Sequence, residues 1–415
     1  MRMPRNNIAA ILDASNQSSS TFVLYANASS LLDHTNGASK SVRLILESLA
    51  QRQCTVHAVM GCTSDCKEGF KGNQSIWLKQ QTIQNNNKLK RFTEKNVNYS
   101  LIATEHWSRR YVAADEQELI YRESLELITK TASSFNKKIL IGWGNLLLEE
   151  AIFNSAKEQG FKILFYLANP TYKGKNTQTI ALASSIITDS KATKELYSDD
   201  IETKISVLPK CVEIPLKQQT AEQRWRKQTI IFVNPRPKKG LEALIIVANK
   251  ILLKKPEIVI KIIDPGDKLE TSLDQLGLHK EDLPENIRVL GGFQDTDSLL
   301  SDASCLLLLS LWHESGSRLI HECHLRGIPI LSFAAGGSEE FLCSFKDDLF
   351  SKPATTTSQN GTVKITNWDS SAMVKRITRL LSNLTYYQKY NESLVSKSKH
   401  LYDNNTTAAE MILMM

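Results

Sequence analysis

The chain lacks any apolar run long enough to cross a bilayer, which takes roughly 20 residues in a helix, so no membrane-spanning segment is expected. It also lacks a cysteine framework. Its seven cysteines (54, 62, 66, 211, 305, 323 and 343) are odd in number and scattered, and Cys62 and Cys66 have no His or Cys partner at zinc spacing. Neither disulfide nor metal is expected. Cys305 lies in an apolar run and Cys323 in a helical stretch, which suits buried thiols. No large charge excess is present. The net charge of +7 and pI of 8.9 come with no known nucleic-acid motif, so a nucleic-acid partner is not expected. The first 20 residues carry two arginines but only a short apolar stretch at 8–12, a frayed leader rather than a signal peptide. A cytoplasmic location is expected.

What remains is an ordinary globular composition, 41% hydrophobic and 23% charged. At 415 residues it is long enough for two domains. Apolar runs at 21–26, 56–60, 138–142, 163–167, 185–188 and 205–208 read as strands, with helical patterns at 40–51 and 146–159 between them. After a polar stretch at 217–228 the alternation resumes. Strands are expected at 230–233, 258–263, 287–290, 305–309 and 328–333, with helices at 241–254 and 368–384. Alternating strands and helices imply parallel sheets, whose strand ends line a ligand crevice. Residues 66–96 hold seven Lys or Arg with interleaved apolar side chains. They read as a solvated insertion loop, the alternative being peripheral contact with the inner membrane face.

The most specific segment is LWHESGSRLIHECHLRGIPILSFAAGGSEE, residues 311–340. Glu314 and Glu322 stand eight positions apart around the turn Ser315-Gly316-Ser317; Gly327 and Pro329 follow, then Gly336, Gly337 and Glu340. Carboxylates accept hydrogen bonds from sugar hydroxyls, and a helix start attracts phosphate. The block E-x7-E, G-x-P, G-G-x-x-E resembles the donor-site signature of family 4 glycosyltransferases. Those are retaining enzymes built from two Rossmann-like domains facing each other across a cleft, the GT-B fold. The resemblance covers about 200–345 well. It covers 21–60 weakly, where Asn36, Gly37 and Ala38 resemble the family's N-terminal glycine loop.

The resemblance implies an acceptor-side domain at 1–215, a donor-side domain at 216–385, and a helical tail at 386–415 packing back on the first domain. It implies a nucleotide-sugar co-substrate, no further cofactor, no metal, and an acceptor hydroxyl of unidentified kind on a glycan, lipid, peptide or natural product. Glu314 matches the residue that holds donor-sugar hydroxyls and Glu322 the one that holds the ribose. Lys239, before Gly240, matches the phosphate lysine. Asn234 stands where the family has an arginine, so Arg318, and after it Arg236, is nominated as the second phosphate cation. Glu314, Lys239 and Arg318 are the catalytic candidates, and Gly316, Ser317, Gly336, Gly337 and Glu340 complete the donor side. Lys210-Cys211 replaces the family's Asn-Gly turn. His106 reads as a surface histidine. Two other readings stay open: another two-Rossmann enzyme, such as a sugar-nucleotide epimerase or a phosphorylase, and a binding or scaffold protein that has lost turnover.

Overall fold

A computed structural model describes residues 21–67, 69–72, 74, 88–175, 177–291 and 295–415. The leader at 1–20 and much of the basic insertion, 75–87, lie outside the described residues. Apolar runs flanked by polar turns become two mainly parallel sheets. In the first, β1 (Thr21–Ser29), β2 (Thr55–Thr63), β3 (Leu89–Glu94), β4 (Val97–Ile102), β5 (Lys137–Gly142), β6 (Lys162–Tyr166), β7 (Ser185–Thr188) and β8 (Ile205–Val207) run in the order β3-β4-β2-β1-β5-β6-β7-β8. In the second, β9 (Thr229–Val233), β10 (Val259–Ile263), β11 (Ile287–Leu290), β12 (Cys305–Leu308), β13 (Ile330–Phe333) and β14 (Leu349–Phe350) run β11-β10-β9-β12-β13-β14. A small hairpin, β15 (Ala354–Thr357) and β16 (Val363–Asn367), stands apart.

In each sheet the chain walks outward from a central strand and then returns to its other side. The reversal falls between β1 and β5 in the first sheet and between β9 and β12 in the second. Loops at such a point diverge and leave a crevice at the carboxyl ends of the strands.

Local chemistry sets the helix starts that face this crevice. Asn36 caps the helix Gly37–Gln51 by accepting from the N–H groups of Ala38 and Ser39. Gly240, at φ +89°, opens the helix Leu241–Lys254 so close to β12 that a Cβ there would lie 2.0 Å from the Leu309 carbonyl oxygen. Only glycine fits such an approach. The short helix Arg318–Leu325 stops at Gly327, at φ +67°, whose carbonyl accepts from Asn391 Nδ2 at 2.7 Å.

The basic insertion differs from the expected solvated loop. Leu89–Glu94 is an edge strand antiparallel to β4, with Phe92 stacked on Tyr99 at 5.0 Å. Lys88, Arg91 and Lys95 form ion pairs with Asp115, Glu123 and Glu47, so these cations face the domain's own acids. The polar stretch at 217–228 contains the helical turn Ala221–Trp225, capped by Thr220. Among the described residues no helix is long and apolar enough to cross a membrane.

The tail divides in two. The helix Leu384–Lys397 stays with the second sheet: Tyr387 donates to the Ser304 carbonyl at 2.7 Å, and Leu394 is buried there. Only the helix Asn404–Met414 crosses back. It lays Ala408, Ala409 and Ile412 into the first core, and Arg52 pairs with Glu410 at 3.1 Å. The physical reason is apolar content, since the crossing helix carries small and aliphatic residues that close the face of Gly37–Gln51. Ile412→Ala is expected to lower stability by about 2–5 kcal/mol through the lost burial and the cavity left behind. Denaturant unfolding checks this, and an unchanged midpoint would place the helix outside the core.

Candidate functional site

The two crevices face each other and enclose one cavity of about 540 Å³, within the range of small-ligand pockets. Of the residues singled out in the sequence, Asn36, Gly37, Ala38, Asn234, Arg236, Lys239, Glu314, Gly316, Ser317 and Arg318 line it. Glu322, Gly336, Gly337 and Glu340 do not.

The last four act from behind. The Glu314 carbonyl accepts from Gly337 N at 2.7 Å, and Glu314 bridges to Gly336. Gly336 has φ +59°, and a Cβ there would lie 2.4 Å from the Glu314 carbonyl oxygen. A Cβ on Gly337 would lie 2.9 Å from Gly316. The glycine pair is thus a backing plate that lets the 314–316 loop sit flush against the next turn. Glu340 reaches the other domain, where its carboxylate accepts from Lys191 N at 2.7 Å, in the first turn of the helix Lys191–Tyr197.

Glu314 points into the cavity region with Oε1 accepting from Lys239 Nζ at 2.5 Å, from Trp312 Nε1 at 3.2 Å, and from Ser310 Oγ. Burial alone would raise its pKa. The Lys239 charge and these three hydrogen bonds outweigh burial and hold it below the usual carboxylate range. Lys238 and Lys239 both sit over the Trp312 ring, at 4.0 and 4.8 Å. Burial lowers the Lys238 pKa, and the neighbouring charges of Arg236 and Lys239 lower it further. The loop after β9 therefore gathers three cations on one turn. Arg236 Nε is buried there without a hydrogen-bond partner among the described residues. Asn234, at φ +66°, occupies the left-handed region that asparagine tolerates better than arginine, which gives a local reason for its replacing the family's cation.

Arg318 lies in the first turn of its helix, with Nε 2.8 Å from Glu322 Oε1 and Nη1 buried without a hydrogen-bond partner among the described residues. Glu322 is fully buried. It accepts from Glu213 N at 3.2 Å and from Thr296 Oγ1 at 3.3 Å. Lys40, from the first domain, donates to Thr296 Oγ1 at 2.7 Å and pairs with Glu213, which Arg43 also contacts at 3.2 Å. The second motif carboxylate is thus a member of a charged cluster between the domains.

Several lining residues escaped the sequence reading. Lys210, noted only as a departure, pairs with Asp189, which also accepts from the Tyr166 hydroxyl at 2.7 Å. Arg109, Arg110, Lys175 and Trp143 line the first-domain wall. A strand end signalled Trp143, directly after β5; Arg109, Arg110 and Lys175 carried no signal. His106 does not line the cavity; it accepts from Ser108 N at 3.0 Å and lies edge-on to Tyr111.

Two mainly parallel sheets with helices on their faces, meeting across a cleft at their carboxyl edges, define the GT-B class of protein. Solved structures share this fold. The Anabaena Alr3699/HepE structure in complex with UDP-glucose is 11% identical, with 95% of this chain and 100% of that chain covered and a TM-score of 0.62. TarM is 12% identical over 96% and 99%, with a TM-score of 0.62. The UDP-forming alpha,alpha-trehalose-phosphate synthase of Burkholderia vietnamiensis is 12% identical over 95% and 99%, with a TM-score of 0.56. No curated protein sequence matches the chain. Residues 216–398 match the family model of glycosyl transferases group 1, and with the fold this upholds the resemblance to GT-B glycosyltransferases.

The interdomain cluster has a pH signature. Burial alone would raise the Glu213 pKa, but the Lys40 charge and hydrogen bond bring it down to about 2. A carboxylate depressed in the folded state contributes stability above its ordinary value near 4.5, and that stability is lost as pH falls toward about 2. Wild type is expected to lose more stability across that window than Lys40→Met, as measured by denaturant unfolding at each pH. Parallel profiles would show that the pair contributes nothing.

Proposed function

We propose that this chain is a retaining glycosyltransferase of the family 4 type, moving a sugar from a nucleotide-sugar donor to an acceptor hydroxyl. The carrying observation is the Lys239–Glu314 pair, set among Arg236, Lys238 and Arg318 at the carboxyl edge of the second sheet. A departing diphosphate gains negative charge as the glycosidic bond breaks. Fixed cations aimed at that point stabilise it without reorganising. Arg236 and Arg318 each hold a buried nitrogen with an open donor position among the described residues, and burial, with the like charges of Arg236 and Lys239, lowers the Lys238 pKa. An anion relieves all three. Glu314, kept ionised by Lys239, is suited to accept from donor-sugar hydroxyls. The leaving phosphate itself takes the acceptor proton on the same face, so the proposal assigns no protein nucleophile. UDP is the first nucleotide to test, since the Anabaena structure was solved with UDP-glucose.

The second reading, a binding protein without turnover, rests on Glu322. Its carboxylate is fully buried and engaged by Arg318, Thr296 and Glu213 rather than open to a ribose. Nucleotide-sugar turnover by the pure protein excludes that reading.

Glu314→Gln is expected to keep the fold and cut transfer by about 100-fold, near 2.7 kcal/mol of transition-state stabilisation. Full activity in a folded Glu314→Gln protein defeats the donor-site assignment. Transfer is also expected to persist in excess EDTA, because the chain's own Lys and Arg supply the charge. Loss with chelator and recovery with Mg²⁺ or Mn²⁺ would contradict that.

A further inference from the structure

We propose that the first-domain wall of the cleft binds an anionic group on the acceptor, so that the acceptor is a sugar bearing a phosphate or a carboxylate. This deepens the glycosyltransferase reading and rests on it. Eight Lys and Arg line the cavity against three Asp and Glu. Four of the cations have a carboxylate partner: Lys239, Arg318 and Lys210 directly, and Arg109 at 3.7 Å from Glu149 Oε1. The other four form no ion pair among the described residues, and they divide evenly between the walls. Arg236 and Lys238 stand in the loop after β9, where a diphosphate would dock. Arg110 and Lys175 stand on the opposite wall, in loops that follow β4 and β6.

The two first-domain loops lie side by side on this wall. The Arg109 charge acts on the buried Tyr172 hydroxyl, and Lys175 N donates to the Tyr172 carbonyl at 3.0 Å. Arg109 also carries a buried Nη1 without a hydrogen-bond partner among the described residues, as does the facing Glu149 Oε1. At 3.7 Å that pair is too long for a charge-assisted hydrogen bond, which runs about 2.7–2.9 Å. Trp143, packed against Tyr25 and Tyr166, lines the same wall. A donor diphosphate compensates the second-domain pair and leaves the first-domain pair without a counter-charge. Uncompensated cations in a shared cleft draw in an anion and disfavour a neutral competitor.

The test is isothermal calorimetry on the full chain saturated with UDP, titrated in turn with inorganic phosphate, glucose 6-phosphate, glucuronate and glucose. The three anions are expected to bind and glucose to bind at least tenfold more weakly. The double variant Arg110→Ser, Lys175→Ser is expected to weaken the anions at least tenfold, with its fold checked by circular dichroism. Equal binding of glucose and glucose 6-phosphate overturns the inference, as does a folded double variant with wild-type anion affinity. Absence of UDP binding by the wild type counts instead against the glycosyltransferase reading. UDP binding without anion binding sinks the acceptor inference alone.

Discussion

The site depends on the ion pair between Lys239 and Glu314, which joins the loop after β9 to the loop after β12 across the reversal point of the second sheet. Neither loop holds its place alone. Lys239 is fixed because Gly240 lets its helix press against Leu309, and Glu314 because Gly336 and Gly337 let the next turn lie against its backbone. A Cβ at any of the three positions would come within 3 Å of an atom across the contact, and at Gly240 and Gly336 that atom is a carbonyl oxygen. The glycines therefore act on the chemistry through geometry, setting where a carboxylate and an ammonium meet.

The second motif carboxylate shows a different use of charge. Glu322 sits within a cluster that spans the domain boundary, through Arg318, Thr296, Glu213 and Lys40. Burial and the nearby Arg318 lower the Lys40 pKa to about 8, even with two carboxylates beside it. Buried charges of this kind contribute little net stability as a group, yet removing one leaves its partners unpaired. The cluster thus ties the helix Arg318–Leu325 to the first domain. Ser315 Oγ donating to the Ala168 carbonyl and His313 meeting Thr193 at 3.1 Å are further contacts between the domains.

Much of this was legible in the sequence. Runs such as 185–188 and 241–254 match elements of the structure to the residue, because buried parallel strands and apolar helix faces announce themselves by composition; 287–290 matches too, although it is a mostly exposed edge strand. The position of Glu314 was legible because the turn and the glycines that hold its backbone lie within 24 residues of it, whereas its partner Lys239 comes from 75 positions away. Glu322 was legible as a motif member but not in its surroundings, since Lys40 and Glu213 come from distant parts of the chain. The pairing of β3 with β4 was hidden by the polar residues of the insertion, where the alternation of Phe92 and its neighbours is short. Arg110 and Lys175 offered no pattern at all, because a cation's meaning in a cleft depends on which acids are absent around it, and that is a property of the folded surface.

That dependence bears on how the cleft works. Cations already paired with carboxylates, such as Lys239 and Arg318, are held in place at modest electrostatic expense and orient what they touch. Cations without a carboxylate partner, such as Arg236 and Lys238, are less well compensated: burial, with the like charges beside it, lowers the Lys238 pKa. A site made of both kinds is rigid where geometry matters and unsatisfied where charge is to be received. Arg236 and Lys238 are half-buried, so their charges are less screened than charges at the surface, whereas Arg110 and Lys175 are exposed and act through water. On either wall of the cleft it is the cations without a carboxylate partner, Arg236 and Lys238 on one side and Arg110 and Lys175 on the other, that a ligand anion would compensate.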